Sequence, residues 1–252
     1  MKNIKIIFPN ILTLLNLLSG CVAIIIVFKG ENEYNAAWLI LLAAFFDFLD
    51  GLVARLLNAK SEFGKQLDSL ADMVSFGVAP SIILFNWLYL VLIDLSVSST
   101  FELINANVAQ SLILMCSLLF ALAAAIRLAR FNIAQNESKV FNGLPTPAAA
   151  LIIVSLWLIL GDTEIRAVKN LMLNIYFVFA VLLLLMVLML SNIKMLSLKF
   201  KSVSLTKNIF QYILLIAGLL LIIQFGVTGI LFSLVFYILL SLISNLIIKT
   251  NN

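Results

Sequence analysis

Long apolar stretches separated by short polar segments run through this chain of 252 residues from end to end. At the helical rise of about 1.5 Å per residue, roughly 20 apolar residues cross the hydrocarbon core of a bilayer. Because the last two stretches are joined by a tight turn at Gly226 and the fifth is short, six or seven crossings with a re-entrant segment are an alternative. The pattern predicts an all-α polytopic membrane bundle of about eight transmembrane helices, near residues 9–28, 35–57, 66–94, 107–134, 145–160, 168–190, 207–224 and 227–248.

Composition agrees with a membrane bundle and narrows the chemistry. Hydrophobic residues make up 63% of the chain and charged residues 11%, which excludes an ordinary soluble domain. Histidine is absent, so catalytic designs that depend on histidine and histidine-rich zinc sites are excluded. Cys21 and Cys116 both fall inside apolar stretches and are interpreted as small buried hydrophobes. Any bound metal must therefore be held by oxygen.

Basic residues are distributed unevenly between alternate connections. If the N-terminus is cytoplasmic, the outer connections hold only Lys29, Arg166 and Lys169. This asymmetry follows the positive-inside rule, so both termini are expected in the cytoplasm. The net charge of +4 is then explained by topology and by affinity for anionic lipids, and with no base-reading motif we expect no nucleic-acid partner. The other 13 of the 16 basic residues lie on the inner side, namely Lys2, Lys5, Arg55, Lys60, Lys65, Arg127, Arg130, Lys139, Lys194, Lys199, Lys201, Lys207 and Lys249.

Four aspartates interrupt the apolar pattern in two neighbouring stretches: Asp47, Asp50, Asp68 and Asp72. The first two are three residues apart and the last two are four apart, so each pair shares one face of a helix. At the helical rise, Asp47 lies roughly 12 Å from the inner end of its helix and Asp72 roughly 9 Å along the next helix. A hairpin of these helices would bring all four carboxylates to a similar depth near the cytoplasmic surface.

Carboxylates at this depth are costly, and they repel one another unless cations neutralise their charge. Because oxygen ligands favour hard ions, the cluster predicts two divalent cations, Mg²⁺ or Mn²⁺, that bridge phosphate oxygens in a phosphoryl-type transfer. Gly51, beside Asp50, and Gly64, one turn before Asp68, would let a ligand or the partner helix approach the backbone. Arg55 is placed to pair with a phosphate.

Two other interpretations of the aspartates are open. In one, they are ordinary charges at helix ends, stabilised by solvent, by the helix dipole or by Arg55 and Lys65. In the other, they form the proton or ion relay of a transporter. A relay explains buried carboxylates but does not explain the glycines, the arginine and the fixed spacing together. We therefore favour the metal site.

The stretch from Asp47 to Asp72 resembles the signature of the CDP-alcohol phosphotransferases. The resemblance implies that the four aspartates hold two divalent metals on the diphosphate of a CDP-linked lipid, and that Asp72 also deprotonates the incoming alcohol. It implies further that Gly51, Ala54 and Arg55 line the nucleotide site, and that a hydroxyl attacks the lipid-side phosphorus and expels CMP. Every fixed position of the signature is filled, namely Asp47, Asp50, Gly51, Ala54, Arg55, Gly64, Asp68 and Asp72.

Three further stretches resemble the phosphatidylserine synthases of bacteria and archaea, a branch of this family. They are residues 9–20, residues 74–81, and residues 127–132 together with 143–147. The resemblance implies CDP-diacylglycerol as donor and L-serine as acceptor, with phosphatidylserine and CMP as products at the cell membrane. Glycerol phosphate, inositol phosphate or choline as acceptor is an alternative within the family. An ion-coupled transporter is the alternative from another class.

Polar residues of the first stretch lie at helical spacing near its inner end. Asn10, Thr13 and Asn16 could contact the nucleotide, or they could join this helix to a neighbour. We assign Asn10, Thr13 and Gly64 to the nucleotide site. Asn16 stands where the resemblance places an arginine in relatives that use glycerol phosphate, so it favours serine.

Residues after Asp72 and at the end of the fourth stretch are candidates for the acceptor end of the site. Ser75 is assigned to serine or phosphate binding, in a segment where nearby glycine and proline would open a kink. Arg127 and Arg130 share a helix face, and their forked donors would fit a serine carboxylate or a phosphate. The positive-inside rule alone also explains basic residues at this place.

The same resemblance covers the chain only up to about residue 190, so it implies a boundary there. Residues 1–190 correspond to the catalytic membrane domain, and residues 191–252 form a basic cytoplasmic loop with two additional helices. The segment 194–207 has four lysines and no acidic residue, which is typical of a segment attracted to anionic lipid. Residues 135–147 form a shaped loop expected to cover the site. The family resemblance also implies a homodimer.

Overall fold

A computed structural model of the protein describes residues 2–30, 33–59, 61–98, 106–134, 143–196 and 209–250. The described chain is helical nearly throughout, which confirms the predicted all-α fold. A π-helical turn, Met73–Val78, joins α3 to α4 without a loop. The helices are α1 (Lys2–Lys29), α2 (Tyr34–Leu56), α3 (Glu62–Asp72), α4 (Ala79–Ser98), α5 (Ala106–Met115), α6 (Leu118–Ala134), α7 (Thr146–Asp162), α8 (Arg166–Met172), α9 (Ile175–Leu190), α10 (Ile209–Phe225) and α11 (Val227–Thr250).

Several of these helices are long and apolar enough to cross a membrane, so the protein is a multi-pass membrane protein. Helices α8 and α9 would add a sixth span if they are counted as one segment with a 63° bend. Two shorter apolar helices, Thr146–Asp162 and Tyr212–Phe225, fall where further crossings are predicted. The count of eight is not confirmed and stays a prediction. Within the described residues the five long spans are Ile7–Lys29, Tyr34–Leu56, Glu62–Asp94, Val108–Ile133 and Val227–Ser244.

Helix α7 lies inside the bundle and organises the helices around it. It packs against α2, α4, α6, α9 and α11 and against the π-helical turn. Its consecutive residues Ile153, Val154 and Ser155 are all fully buried, and they point to different faces of the helix. A helix buried on all sides is shielded from lipid by its neighbours. Its first residue, Thr146, is buried as well and lies close to the site described below.

The predicted helix over residues 168–190 is wrong as a single element, because the chain breaks between α8 and α9. The side chain of Asn174 accepts a hydrogen bond from the backbone N–H of Tyr176 at 2.9 Å. A side-chain acceptor at this position satisfies a free N–H at a helix start, so α9 begins as a new helix in a new direction.

The short connection between α2 and α3 has a defined shape. Asn58 adopts a left-handed backbone with φ of 50°, and the backbone N–H of Ala59 donates to Ala54 O at 2.9 Å. The hydroxyl of Ser61 then accepts from the N–H of Gly64 at 2.9 Å and caps the start of α3. The predicted hairpin of the two aspartate-bearing helices is therefore present.

Candidate functional site

The hairpin brings carboxylates from α2 and α3 together. One oxygen each from Asp47, Asp50 and Asp68 lies within 4.8 Å of the other two. Asp50 is buried, whereas Asp47 and Asp68 are partly buried. Helix α1 packs along both α2 and α3, so it closes one side of this group. The spacing of the aspartates in sequence predicted this meeting.

Thr13 of α1 fixes the orientation of Asp50. Its hydroxyl donates to Asp50 Oδ2 at 2.6 Å and also lies 3.1 Å from the carbonyl of Pro9. Both side chains are almost fully buried, so no water competes for this contact. The hydroxyl of Thr13 thus supports a carboxylate. Contact of Thr13 with a nucleotide stays a prediction.

Asp72, at the end of α3, has different neighbours from the other three aspartates. The amide nitrogen of Asn16 faces Asp72 Oδ1 at 3.5 Å. The charge of Asp72 interacts unfavourably with Asp47, Asp68 and Asp50 and favourably with Arg127. Asp72 is therefore next to the cluster and also next to a cation.

The helix does not continue regularly after Asp72, and α1 lies against this irregular turn at backbone distance. A Cβ atom on Gly20 would be 2.8 Å from Ser75 Cα, closer than packed atoms come. The hydroxyl of Ser75 donates to the carbonyl of Asn16 at 2.9 Å. The kink predicted here is thus a π-helical turn, an irregularity that is frequent at functional sites. Because the Ser75 hydroxyl joins two helices, its contact with serine or phosphate stays a prediction.

The donors of the cluster fit hard divalent cations. Asp68 Oδ1 is buried and accepts no hydrogen bond from the part of the chain that the structure describes. A buried carboxylate oxygen without a donor is costly, and a cation would offset both this cost and the repulsion within the cluster. Asn16 Oδ1 is likewise buried and unpartnered within the described ranges. These residues can hold metal ions and still leave an acceptor atom for a ligand.

Gly51 and Arg55 form an accessible edge of the cluster on α2. A Cβ atom on Gly51 would meet one described atom within 4 Å, Arg55 Nη2 at 3.8 Å. The exposed Arg55 folds back so that Nε donates to Gly51 O at 2.7 Å. Ala54, half-buried, lies one turn beyond Asp50. This edge has room for a phosphate or nucleotide group close to the backbone.

Gly64 has a different environment from Gly51. A Cβ atom there would lie 3.0 Å from Asn10 Oδ1 and 3.0 Å from Ser61 Oγ. Gly64 therefore allows α3 to approach α1, and Asn10 lies at that contact. Nucleotide binding by Asn10 and Gly64 stays a prediction.

Arg127 of α6 is buried, with 8% of its surface exposed. Its Nη1 donates to Thr146 Oγ1 at 3.0 Å, and its Cζ lies 5.3 Å from the ring centroid of Phe131. The guanidinium charge interacts with Asp72. Arginine has five N–H donors, and within the described residues one of them is used. Arg127 can therefore also bind an anion beside Asp72.

Arg130 lies on the same face of α6 but has a different environment. It is exposed, and its Nη1 donates to the carbonyl of Leu190 at 3.1 Å. Leu190 is the last residue of α9, where a cation stabilises the free carbonyls of the helix end. The structure therefore separates two arginines that the sequence presents as a pair.

Ser69 and Asn132 form a contact between α3 and α6 that the sequence did not indicate. The amide of Asn132 donates to Ser69 Oγ at 2.9 Å, which ties α3 to α6 between Asp68 and Asp72. A serine between two acidic residues carries no distinctive signal, so its partner on another helix could not be identified from sequence.

Two predicted features lie outside the described residues. The predicted loop over the site, residues 135–147, is described only from residue 143 onward, and residues 197–208 hold most of the predicted basic segment. Their contribution to the site stays a prediction.

The chain is similar to one protein family over most of its length. The family model of the CDP-alcohol phosphatidyltransferases matches residues 6–190. A CDP-diacylglycerol--serine O-phosphatidyltransferase of Helicobacter pylori is 35% identical over 218 residues, which covers 85% of this chain and 81% of that protein. An archaetidylserine synthase of Methanothermobacter thermautotrophicus is 40% identical over 162 residues, covering 63% of this chain and 61% of that protein. A CDP-diacylglycerol--serine O-phosphatidyltransferase of Saccharomyces cerevisiae is 35% identical over 171 residues, covering 62% and 54%. The chain therefore belongs to the CDP-alcohol phosphatidyltransferase family.

Proposed function

We propose that this protein transfers the phosphatidyl group from CDP-diacylglycerol to L-serine and so forms phosphatidylserine and CMP. The observation that carries the proposal is the meeting of the Asp47, Asp50 and Asp68 carboxylates beside Asp72 and the buried cation Arg127. A carboxylate cluster suits a metal-bound diphosphate, and an arginine beside the base suits an acceptor with a carboxylate. The names of similar proteins from a bacterium and a yeast support serine as the acceptor.

Asp72 is the residue that we assign as general base. The serine hydroxyl gives its proton to the Asp72 carboxylate while its oxygen forms a bond to the lipid-side phosphorus. The bond from this phosphorus to the oxygen of CMP breaks, and the electron pair leaves with CMP. Asn16 faces Asp72 Oδ1 at 3.5 Å, which leaves Oδ2 as the oxygen for the acceptor.

The family depends on a divalent metal, and the acidic cluster can bind one. We assign Asp47, Asp50, Asp68 and Asp72 as ligands of two ions, either Mg²⁺ or Mn²⁺. When bound, these ions supply positive charge that stabilises the diphosphate and the departing CMP. Thr13 keeps the Asp50 carboxylate in place for this purpose.

Two ends of the site would bind the two substrates. On α2, Gly51, Ala54 and Arg55 offer an open backbone and a cation to the nucleotide diphosphate, and Asn10, Thr13 and Gly64 shape the wall from α1 and α3. On α6, the donors of Arg127 that no described residue accepts from would bind the serine carboxylate. Arg130 and Ser75 would support this end, because their polar groups hold α9 and α1 in place.

We place the protein in the cell membrane, with both termini and the site facing the cytoplasm, as the distribution of basic residues favours. Residues 1–190 would form the catalytic membrane domain. Residues 191–252 would form the basic segment and the last two helices. We also propose a homodimer, by analogy with the family.

The test is release of CMP by the purified protein in detergent micelles containing CDP-diacylglycerol and Mg²⁺ or Mn²⁺. We expect release with L-serine and little with glycerol 3-phosphate, inositol phosphate or choline. A preference for one of the other alcohols would reject serine and keep the chemistry. No release with any alcohol would reject the enzyme and favour a transporter that uses the aspartates as an ion site.

A further inference from the structure

The last helix, α11, carries a buried polar face although it lies beyond the matched family segment, which ends at residue 190. Tyr237, Ser241 and Ser244 are spaced at i, i+4 and i+7 and are 7%, 0% and 4% exposed. Helix α11 packs along α7. Polar side chains on an inward face of a membrane helix usually form hydrogen bonds to neighbouring elements. The partners of this face therefore indicate what the helix does.

Both backbone polar groups of Leu196 are bound by α11. The hydroxyl of Tyr237 donates to Leu196 O at 3.2 Å, and the N–H of Leu196 donates to Ser241 Oγ at 3.2 Å. Leu196 lies in the non-helical segment after α9, where backbone groups lack helical partners. Such groups need partners in an apolar surrounding. Helix α11 thus fixes this segment.

The same segment fixes the entry to α7. The N–H of Gly143 donates to Ile193 O at 2.8 Å, and the N–H of Leu144 donates to Leu188 O at 2.9 Å. Gly143 has φ of 76°, and a Cβ atom on it would be 3.0 Å from Ser191 O. Thr146, the hydrogen-bond partner of Arg127, follows directly. A continuous set of contacts therefore leads from Tyr237 to Arg127.

Tyr237 also lies in the electrostatic surroundings of Arg127. Both side chains are buried, and the positive charge of Arg127 would stabilise a negative charge on Tyr237 as it does on Asp72. The phenol hydrogen is directed to Leu196 O, so the oxygen lone pairs are available to a positive charge. Arg127 thus bonds to Thr146 and lies beside the Phe131 ring, and Tyr237 is linked to it through Leu196 and the entry to α7.

We propose that Tyr237 is a positioning residue that holds Arg127 in the orientation in which it binds the acceptor carboxylate. The inference rests on the proposed function, because it assigns the carboxylate of L-serine to Arg127. It gives the last helix a role at the acceptor end of the site. The donor end, on α1 to α3, should not depend on Tyr237.

The experiment compares Tyr237→Phe with the unaltered protein in CMP release, with each substrate varied in turn. We expect the KM for L-serine to rise by about tenfold, the size of one lost hydrogen bond, because the bond to Leu196 O is removed. The KM for CDP-diacylglycerol and kcat should change by less than about threefold, because the donor end is intact. Tyr176→Phe is the matched control, since Tyr176 is 81% exposed. Thermal unfolding in detergent should be similar for all three proteins.

A second background tests whether Tyr237 acts through Arg127. In Arg127→Lys, which keeps a charge but loses the forked donors, adding Tyr237→Phe should raise the KM for serine by less than about twofold. A tenfold effect in both backgrounds, an unchanged KM in Tyr237→Phe, or an equal loss for both substrates would overturn the inference. Serine-dependent release by the unaltered protein would then still support the proposed function. No serine-dependent release at all would overturn both.

Discussion

Asp72 is distinguished from the other three aspartates by its neighbours. Asp47, Asp50 and Asp68 lie within 4.8 Å of one another, whereas Asp72 faces Asn16 and interacts with the charge of Arg127. A base must lie next to the acceptor as well as next to the bound diphosphate. This position is the reason for assigning proton transfer to Asp72.

Replacing Asp72 by asparagine keeps the shape of the side chain and removes its charge and basicity. We expect kcat in Asp72→Asn to fall by roughly 10²- to 10⁴-fold or more, measured as CMP release at saturating serine. The variant should fold, because removing one of four like charges relieves repulsion. Asp94→Asn is the matched control, since Asp94 is exposed on the same continuous helix. A kcat within about tenfold of the unaltered value would exclude Asp72 as the base.

The two arginines of α6 should differ in their effect on serine. Arg127→Gln removes a buried cation beside Asp72, so the KM for serine should rise by about tenfold or more. Arg130→Gln removes an exposed contact with the end of α9, and the KM should change by less than about threefold. The check is the KM for serine measured in both variants. Their expression levels are compared to control for loss of folding. Equal effects would contradict the separation and leave only topology as a reason for both arginines.

The carboxylate cluster could be predicted from sequence, because spacings of three and four residues fix a helix face and a short connection fixes a hairpin. The difference in burial between Arg127 and Arg130 could not be predicted from sequence. They share a face of α6, and burial depends on α7 and α9, which come later in the chain. The hydroxyls of Thr13 and Ser75 also gained partners that only packing reveals, on α2 and α1 respectively.

At the scale of elements, the π-helical turn after Asp72 lies in close backbone contact with α1. Gly20 has no side chain to separate the two backbones, and Ser75 bonds to α1 across the contact. Sequence indicated a kink here from Gly77 and Pro80, but the kind of kink is decided by α1. The break between α8 and α9 was missed because Asn174, the capping residue, lies inside an otherwise apolar stretch.

Gly20→Ala should therefore destabilise the protein and disturb Asp72. Its Cβ atom would lie 2.8 Å from Ser75 Cα, and overpacking of this kind costs roughly 1–3 kcal/mol. Gly218→Ala is the matched control, because a Cβ atom there would meet Ser233 Cβ at an ordinary 3.5 Å. We expect the Tm in detergent and the rate of CMP release to fall for Gly20→Ala and to stay unchanged for Gly218→Ala. The same behaviour in both variants would show that the contact between α1 and the π-helical turn is unimportant.

At the scale of the molecule, the aspartate cluster must face the cytoplasm to meet L-serine and to release CMP there. We propose this orientation from the distribution of basic residues, and it can be tested without activity. In a protein carrying Cys21→Ser and Cys116→Ser, we place a single cysteine by Glu62→Cys or Glu164→Cys, both exposed positions. A membrane-impermeant maleimide should label Glu164→Cys in intact cells and label Glu62→Cys only in broken cells. The reverse pattern would place the cluster on the outer side.

Transfer to serine can be followed directly with radiolabelled L-serine, which should enter the lipid. Purified protein is reconstituted in vesicles with CDP-diacylglycerol, and labelled lipid and CMP are measured in the same reaction, with EDTA and then excess Mg²⁺ or Mn²⁺ added in turn. We predict one labelled lipid for each CMP released, complete loss with EDTA, and recovery when the metal is restored. Label that stays out of the lipid while CMP is released, or transfer that persists in EDTA, would contradict the account.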